Sequence, residues 1–458
     1  MKRHASRHEI DMLNGPILGN MLRFSLPLMF TSILQLFYHA ADMIVVGRFA
    51  GATALAAVGS TGPLYSLVVN LFIGFSTGAS VAVSQHYGAG DLKGVSESVH
   101  TSVLLSILCG VFLTIVGILL TRPLLIFMET PAEVLDGATI YLSIIFAGTP
   151  VSLLYSFCAG ILRAVGDTKR PLYYLMISGL ANVVLNLLFV IVFHMDAAGV
   201  ALATFISQVI SAVLVVRNLL STESCVRLFP RKLRITMDKL VLILRIGIPV
   251  GLQSSLFAIS NTLIQSSINS LGAIAIAGNT AASNIEGFVS GPLGAFYSAT
   301  LSFVSQNYGA RKHERFNRIL GASCVLITGM GLAVGLLVVA FREPLVSIFS
   351  ADPDIIAYGA ARMAIMAPTC FIACMAESFG NGMRGMGNSF FPMIVSLLSI
   401  CVLRVVWILT VFAAYRTPFV LYFSYPLSWT VNMVILGISY FVYQRKVCAR
   451  LKTETLGA

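Results

Sequence analysis

Charge is what this 458-residue sequence has least of. Asp, Glu, Lys and Arg together make up 11% of it, where soluble domains carry roughly 25%. With 57% hydrophobic residues, an ordinary soluble enzyme is excluded, and a polytopic helical membrane protein is the class that remains. Acids are scarcer than bases, 19 Asp and Glu against 30 Lys and Arg. The net charge of +11 does not point to nucleic acid, because the cations collect in short loops on one side, as the positive-inside rule requires. The eight cysteines form no Cys/His cluster with metal-ligand spacing. Six of them (Cys109, Cys158, Cys324, Cys370, Cys374 and Cys401) read as small residues inside apolar segments. No G-x-x-x-x-G-K-[ST] occurs, and the GDTK beginning at Gly166 is no phosphate loop, so the chain is not expected to use ATP. No cofactor is expected. The first 23 residues lack an apolar core and a small-residue cleavage site, so they are not expected to be a secretory signal.

What is there is a succession of apolar runs of membrane-spanning length. Six lie in the first half, at 24–46, 58–80, 101–121, 138–161, 172–193 and 198–219. Six more follow at 243–269, 279–303, 319–341, 357–381, 391–413 and 419–443. Prolines inside them are tolerated because neighbouring helices re-satisfy the freed carbonyls. Lys2, Arg3 and Arg7 lead the chain, and Lys93, Arg163, Lys169 and Arg170 occupy the next loops on that side. The 217–245 connector, the 309–318 loop and the tail after 444 are equally basic. Opposite loops hold few cations (Arg48, Arg122, Arg342, Arg416) and several acids (Glu129, Glu133, Asp136, Asp352, Asp354). Both termini are therefore expected in the cytoplasm, with the chain in the cell membrane.

The chain also repeats itself. LRFSLP at 22–27 recurs as LRIGIP at 244–249, SQHYGAGDLK at 84–93 as SQNYGARKHE at 305–314, and RAVGDTKRP at 163–171 as RGMGNSFFP at 384–392. The last two pairs share one offset, 305 − 84 = 221 and 384 − 163 = 221. Six spans is an even number, so both halves enter from the same side. The expected fold is all-α, twelve transmembrane helices in two six-helix bundles related by a pseudo-two-fold along the membrane normal. The expected division is an N-terminal bundle at 1–219, a cytoplasmic linker at 220–240 and a C-terminal bundle at 241–458. The SQHYGAG and SQNYGA loops read as tight turns that pack helix ends closely.

Ionisable groups inside the spans are few enough to name. Asp42 is in the first span, where a carboxylate costs about 3 kcal/mol on insertion scales and persists when something is bound, exchanged or protonated there. At about 1.5 Å per residue it lies some 27 Å from the cytoplasmic end of its helix. His39, one turn earlier, is a candidate for tuning that carboxyl or carrying a proton, or a polar group capped by a carbonyl. Glu286, Glu377 and Arg404 are the other charges read inside spans. A guanidinium this deep needs a partner, so an Arg404–Glu286 or Arg404–Glu377 pair is expected, lining a cavity or holding the second bundle together. The seventh span is unusually polar, and Gln253, Ser260 and Gln265 are its candidates for a substrate wall.

These motifs together resemble the multidrug and toxic compound extrusion (MATE) exporters. The resemblance runs from about residue 15 to 443, through AADMIVVG, SQHYGAG, RAVGDTKRP, NVVLNLLFV, GVALATFISQ and SQNYGA in that order. It implies two six-helix bundles in a V around a central cavity, and export of organic, often cationic, compounds in exchange for protons or sodium ions. In one branch of that family a cation site joins the first-span Asp to an Asn and an Asp of the fifth span and a Thr of the sixth. Those roles map to Asp42, Asn182, Asn186 and Thr204. Here Asn186 replaces the second carboxylate, and the glutamate some sodium-coupled relatives carry early in the seventh span has no counterpart near Phe257. Estimated depth agrees: Asn182 and Asn186 share a face of the fifth span, and all four groups fall in the outer half of the membrane.

The function expected is secondary antiport: amphipathic organic cations or drugs leave in exchange for H+ or Na+ by alternating access, with Asp42 as coupling site. Asn186 lowers the negative charge offered to a bare cation, which favours the proton; if sodium is used, Asp42, Asn182, Asn186 and Thr204 are its ligands. Expected partners are the small-molecule cargo, the coupling ion and the bilayer, with no nucleic acid and the protein a monomer. A lipid-linked oligosaccharide flippase of the same superfamily is the alternative. It wants a more cationic cavity and more spans, whereas Arg404 is the one basic side chain read inside a span. An enzyme is not expected, because one His and three acids at different depths make no catalytic constellation.

Overall fold

The computed structural model describes residues 9–128 and 130–456, apart from the side chains of Ala52, Leu55, Ser60, Pro63, Leu67, Glu454, Thr455 and Leu456. Lys2, Arg3, Arg7 and Glu129, read above as loop charges, lie outside the described residues. Among the described residues the chain is helical with no strand. The helices are α1 (Ile17–Val45), α2 (Gly51–Ala89), α3 (Leu92–Phe127), α4 (Ala132–Ala147), α5 (Thr149–Ala164), α6 (Lys169–Leu187), α7 (Asp196–Ser221) and α8 (Met237–Asn269). They continue as α9 (Ala273–Gly309), α10 (Phe316–Ala340), the short α11 (Arg342–Ser347), α12 (Pro353–Met366), α13 (Cys370–Gly385), α14 (Phe390–Ser396), α15 (Leu403–Trp407) and α16 (Pro418–Leu456).

Ten of these stretches are long and apolar enough to cross a membrane, or eleven when α4 and α5, bent by 44° at their junction, count as one. The bend has a local cause. Pro150 occupies the first turn of α5 and has no N–H to continue the ladder from α4. α9 is the remaining long helix, 37 residues, and carries Asn279, Asn284 and Glu286. With α9 included, twelve long stretches follow in the order expected. The protein is a multi-pass helical membrane protein.

Packing divides the chain into two compact units that are interleaved rather than cut once at the connector. One comprises residues up to Ile10 and Phe30–Gly251, the other Asp11–Met29 and Leu252–Ala458. Two helices therefore serve both units. α1 changes membership after Met29 and α8 after Gly251, each two residues past an internal proline, Pro27 and Pro249. These are the prolines of the repeated LRFSLP and LRIGIP. In the first unit, Val83, Val99, Cys158, Ile161, Leu162 and Val215 form one core. A second core packs Val46, Ala57, Leu125, Val190 and Val200. In the other unit Ile285, Val289, Leu293, Phe296 and Met363 make the centre.

The duplication is visible in the backbone. Gly51 and Gly272 open α2 and α9 at φ of 85° and 97°, and Gly166 and Gly387 turn after α5 and α13 at 97° and 92°. Both pairs are 221 apart (272 − 51 and 387 − 166). Asp167 Oδ1 accepts from the Arg170 amide at 3.1 Å, and Asn388 Oδ1 from the Phe391 amide at 3.3 Å. The same side-chain turn thus recurs at the same offset.

Within the first unit α2 crosses the start of α8 with backbones touching. A Cβ added to Gly78 would stand 2.2 Å from the Ile243 carbonyl oxygen, and one on Gly251 would stand 2.2 Å from that of Leu71. Gly74 and Gly247 complete the approach, so each helix offers a small-xxx-small pair, the arrangement that lets helices meet closely in lipid. At Gly59, on the same α2, an added Cβ meets nothing within 4 Å. We expect Gly78→Ala to lower the melting temperature of the purified protein by several degrees, an overpacking cost of about 1–3 kcal/mol. Gly59→Ala should instead hold or raise it, because alanine is the better helix former by up to about 1 kcal/mol.

Candidate functional site

α1 ends beside α6, and the polar groups there form a ladder. Asn186 donates from Nδ2 to Asp42 Oδ1 and, at 3.3 Å, to Asn182 Oδ1. Asn182 in turn reaches the Thr204 hydroxyl of α7 at 3.5 Å. The ladder follows from helix geometry: residues 182 and 186 are one turn apart on α6, and α6 packs along α7. Asn186 is fully buried and Asn182 5% exposed, with Asn186 Oδ1 left without a hydrogen-bond partner. No ion pair to Asp42 exists among the described residues. Its charge is met by a neutral amide, that of Asn186.

Two π-helical turns adjoin this ladder, Val46–Ala50 after α1 and Leu188–Val192 after α6, and they contact each other. Such turns interrupt the α ladder and are frequent at functional sites. The apolar core of Val45, Val46, Ala54, Val58 and Val190, with Tyr141 packed on it, closes around them. His39 is the expected site residue that stays outside. It is exposed on α1, and no hydrogen bond joins it to the ladder.

The second unit encloses a cavity of about 430 Å³, within the range of small-molecule sites. Glu286 of α9 lines it and is held from both sides by Arg362 of α12: Nε to Oε1 at 2.8 Å and Nη2 to Oε2 at 2.7 Å. Arg362 also donates to Asn279 and faces the Tyr422 and Tyr425 rings at 5.6 Å. Glu377, on the opposite wall, accepts from Arg384 at 3.0 Å and from Gln253 at 3.1 Å. Arg384 closes that triangle by donating to Gln253 Oε1 at 2.6 Å.

Arg404 is left with neither acid, contrary to the pairing expected from sequence. Its Nε donates to Ser428 Oγ at 2.8 Å, and its guanidinium lies 4.2 Å from the Tyr425 ring and 5.8 Å from Trp429. Both acids had nearer arginines on their own faces. Arg362 and Arg384 lie within the long stretch Pro353–Gly385, so Arg404 is not the one basic side chain inside a span. The missed signal was plain: AARMAIM places an arginine six residues into the tenth apolar run. Of the expected substrate wall, Gln265 lines the cavity. Gln253 is buried in the Glu377–Arg384 triangle, and Ser260 is buried away from the lining.

A sequence profile of the MatE family matches residues 27–188 and 249–410, one copy on each half and together most of the chain. The chain belongs to the MATE family. The probable multidrug resistance protein YoeA of Bacillus subtilis (strain 168) is 27% identical over 445 residues, covering 94% of this chain and 95% of that one. A protein named FAD transporter, from Shewanella oneidensis, is 21% identical over 457 residues, 97% of this chain and 98% of its own. Among solved structures, an outward-facing multidrug resistance MATE transporter superposes with a TM-score of 0.90 at 23% identity, covering 98% of this chain and all of that one. This MATE protein thus shares the fold of transporters, and several of its relatives are named for multidrug resistance.

The bidentate Glu286–Arg362 pair gives a direct stability test. Glu286→Ala leaves a guanidinium 6% exposed with Asn279 as its only polar partner. Thermal unfolding should show a loss of about 3–5 kcal/mol, the usual cost of orphaning one member of a buried pair. Arg362→Met combined with Glu286→Ala should recover most of it. A single variant that melts like the native protein would show that the pair is not needed for packing.

Proposed function

We propose that this MATE protein is a secondary antiporter that exports small organic compounds across the cell membrane in exchange for a proton or a sodium ion, with Asp42 as the coupling group. The observation that carries this reading is a carboxylate in the last turn of an apolar helix whose hydrogen-bond partner is the neutral amide of Asn186, itself held by Asn182. A permanent partner such as an arginine would cancel its charge for good. Neutral donors leave that charge available to be cancelled and restored.

Cancellation has a structural consequence. A hydrogen bond to an ionised acceptor is about twice as strong as one between neutral groups. Protonating Asp42 therefore weakens its hold on Asn186 and frees the end of α1 from α6, next to two π turns that already break the helix ladders. Coupling requires the two arrangements to differ in affinity for the ion and the cargo. Cation entry from outside then favours cargo release outward and return to the inward-open form.

Asp42, Asn182, Asn186 and Thr204 also supply a hard-oxygen set that suits sodium, and the unpartnered, buried Asn186 Oδ1 fits such a role. As arranged, however, Asn186 turns its N–H toward the carboxylate, which favours the proton. The protein needs no cofactor in this scheme, works as a monomer, and keeps both termini in the cytoplasm.

The test is exchange in liposomes under an imposed pH or sodium gradient, with the cation rhodamine 123 and the anion fluorescein each offered as cargo. Native protein should move at least one of them under one gradient. Asp42→Asn should cut that flux at least tenfold. Exchange by the Asn form at the native rate under both gradients would remove Asp42 from the mechanism.

A further inference from the structure

Counting Arg384 behind the wall, the charges around the second unit's cavity sum to one excess positive charge, the sign that repels the amphipathic cations the sequence led us to expect. Glu286 is neutralised by Arg362 through two hydrogen bonds. Glu377 is met by Arg384 and Gln253. Arg404, also on the wall, is only 4% exposed, yet its one hydrogen bond is to the Ser428 hydroxyl, through Nε. Among the described residues its two Nη groups have no acceptor. Aromatic faces of Tyr425 and Trp429 steady the cation and leave the outer edge of the guanidinium fork unused.

We propose that this cavity binds organic anions or zwitterions, with Arg404 receiving a carboxylate, sulfonate or phosphate oxygen pair and the apolar wall receiving an aromatic or aliphatic body. The guanidinium fork matches such oxygens two at a time. Phe257, Ile268, Met366 and Ile400 supply the apolar wall, and the amides of Asn261, Gln265 and Asn432 supply polar contacts without adding charge.

This inference names the cargo class of the proposed exporter and rests on that reading, but its test needs no gradient. Fluorescein and rhodamine 123 share a ring system and differ in charge, so equilibrium anisotropy with the purified full chain isolates the sign preference. Native protein should bind fluorescein at least tenfold more tightly than rhodamine 123. Arg404→Gln should weaken fluorescein at least tenfold and leave rhodamine 123 unchanged, while Arg404→Lys should retain part of the preference.

Location is tested without touching Arg404. In a Trp407→Phe background Trp429 is the only tryptophan of the two in the chain, and bound fluorescein must quench it. A native preference for rhodamine 123, unaltered fluorescein binding by a folded Arg404→Gln protein, or binding without quenching of Trp429 would each overturn the proposal. So would displacement of fluorescein by phosphatidylglycerol, which would assign the guanidinium to a lipid headgroup instead of a soluble cargo. If liposome exchange fails while the anion preference and its dependence on Arg404 hold, the antiport reading falls and this site stands.

Discussion

A charge inside an apolar helical bundle must find its compensation among the side chains it folds with, because lipid supplies none. The charges described inside the bundles of this MATE protein answer to that constraint in two ways. Glu286 with Arg362, and Glu377 with Arg384 and Gln253, are closed sets in which each full charge meets an opposite one. Asp42 and Arg404 are met by neutral groups, one amide in the first case and a hydroxyl with two aromatic rings in the other. The closed sets cost most when broken and have least reason to change. The neutral-compensated charges are where an ion or a cargo can act, since partial dipoles offset a charge without cancelling it.

This division explains which parts of the site could be read from the sequence. Asp42, Asn182, Asn186 and Thr204 were legible because helical spacing puts 182 and 186 on one face and because counting residues from the helix ends sets depth. Family resemblance then supplied which spans meet, and the structure joins the four in one ladder. The partner of an arginine cannot be found that way. Whether Arg404 meets Glu286 depends on how α9, α12 and α15 are rotated about their own axes, and lone residues carry no periodicity to fix that rotation. Arg362 was overlooked for a simpler reason: of the two charges inside the tenth apolar run, only Glu377 was counted. His39 shows the limit from the other side, since it lies one turn from Asp42 and is nonetheless exposed, with no hydrogen bond to the ladder.

The fold was legible to a similar depth. Apolar runs and basic loops gave the helices and their number, and the repeated motifs gave the duplication, which reappears in the paired glycine turns at one offset. The interleaving of the two units was not legible. A hydropathy pattern sees α1 and α8 as single spans, and nothing in it marks that the part before Phe30 packs with one unit and the part after with the other. The conspicuous sign is the proline repeated in LRFSLP and LRIGIP, which weakens the helix two residues before each change of membership. The glycine contacts of α2 with the first part of α8 are the packing side of the same fact: a helix shared between units must approach each closely over only a few turns, and glycine makes that approach possible.

Duplication gives two units the same scaffold, yet each unit here places its neutral-compensated charge differently. The first supports a carboxylate of α1 through the amide of Asn186, and the second steadies the guanidinium of Arg404 on α15 with Ser428, Tyr425 and Trp429. The 221-residue repeat does not bring the two charges to one place, since it takes Asp42 to Leu263 and Arg404 to Val183. A shared scaffold therefore does not dictate where a buried charge stands: each unit holds its own, of opposite sign, at a position where the other is apolar, and in each the surrounding dipoles or rings offset the charge without cancelling it.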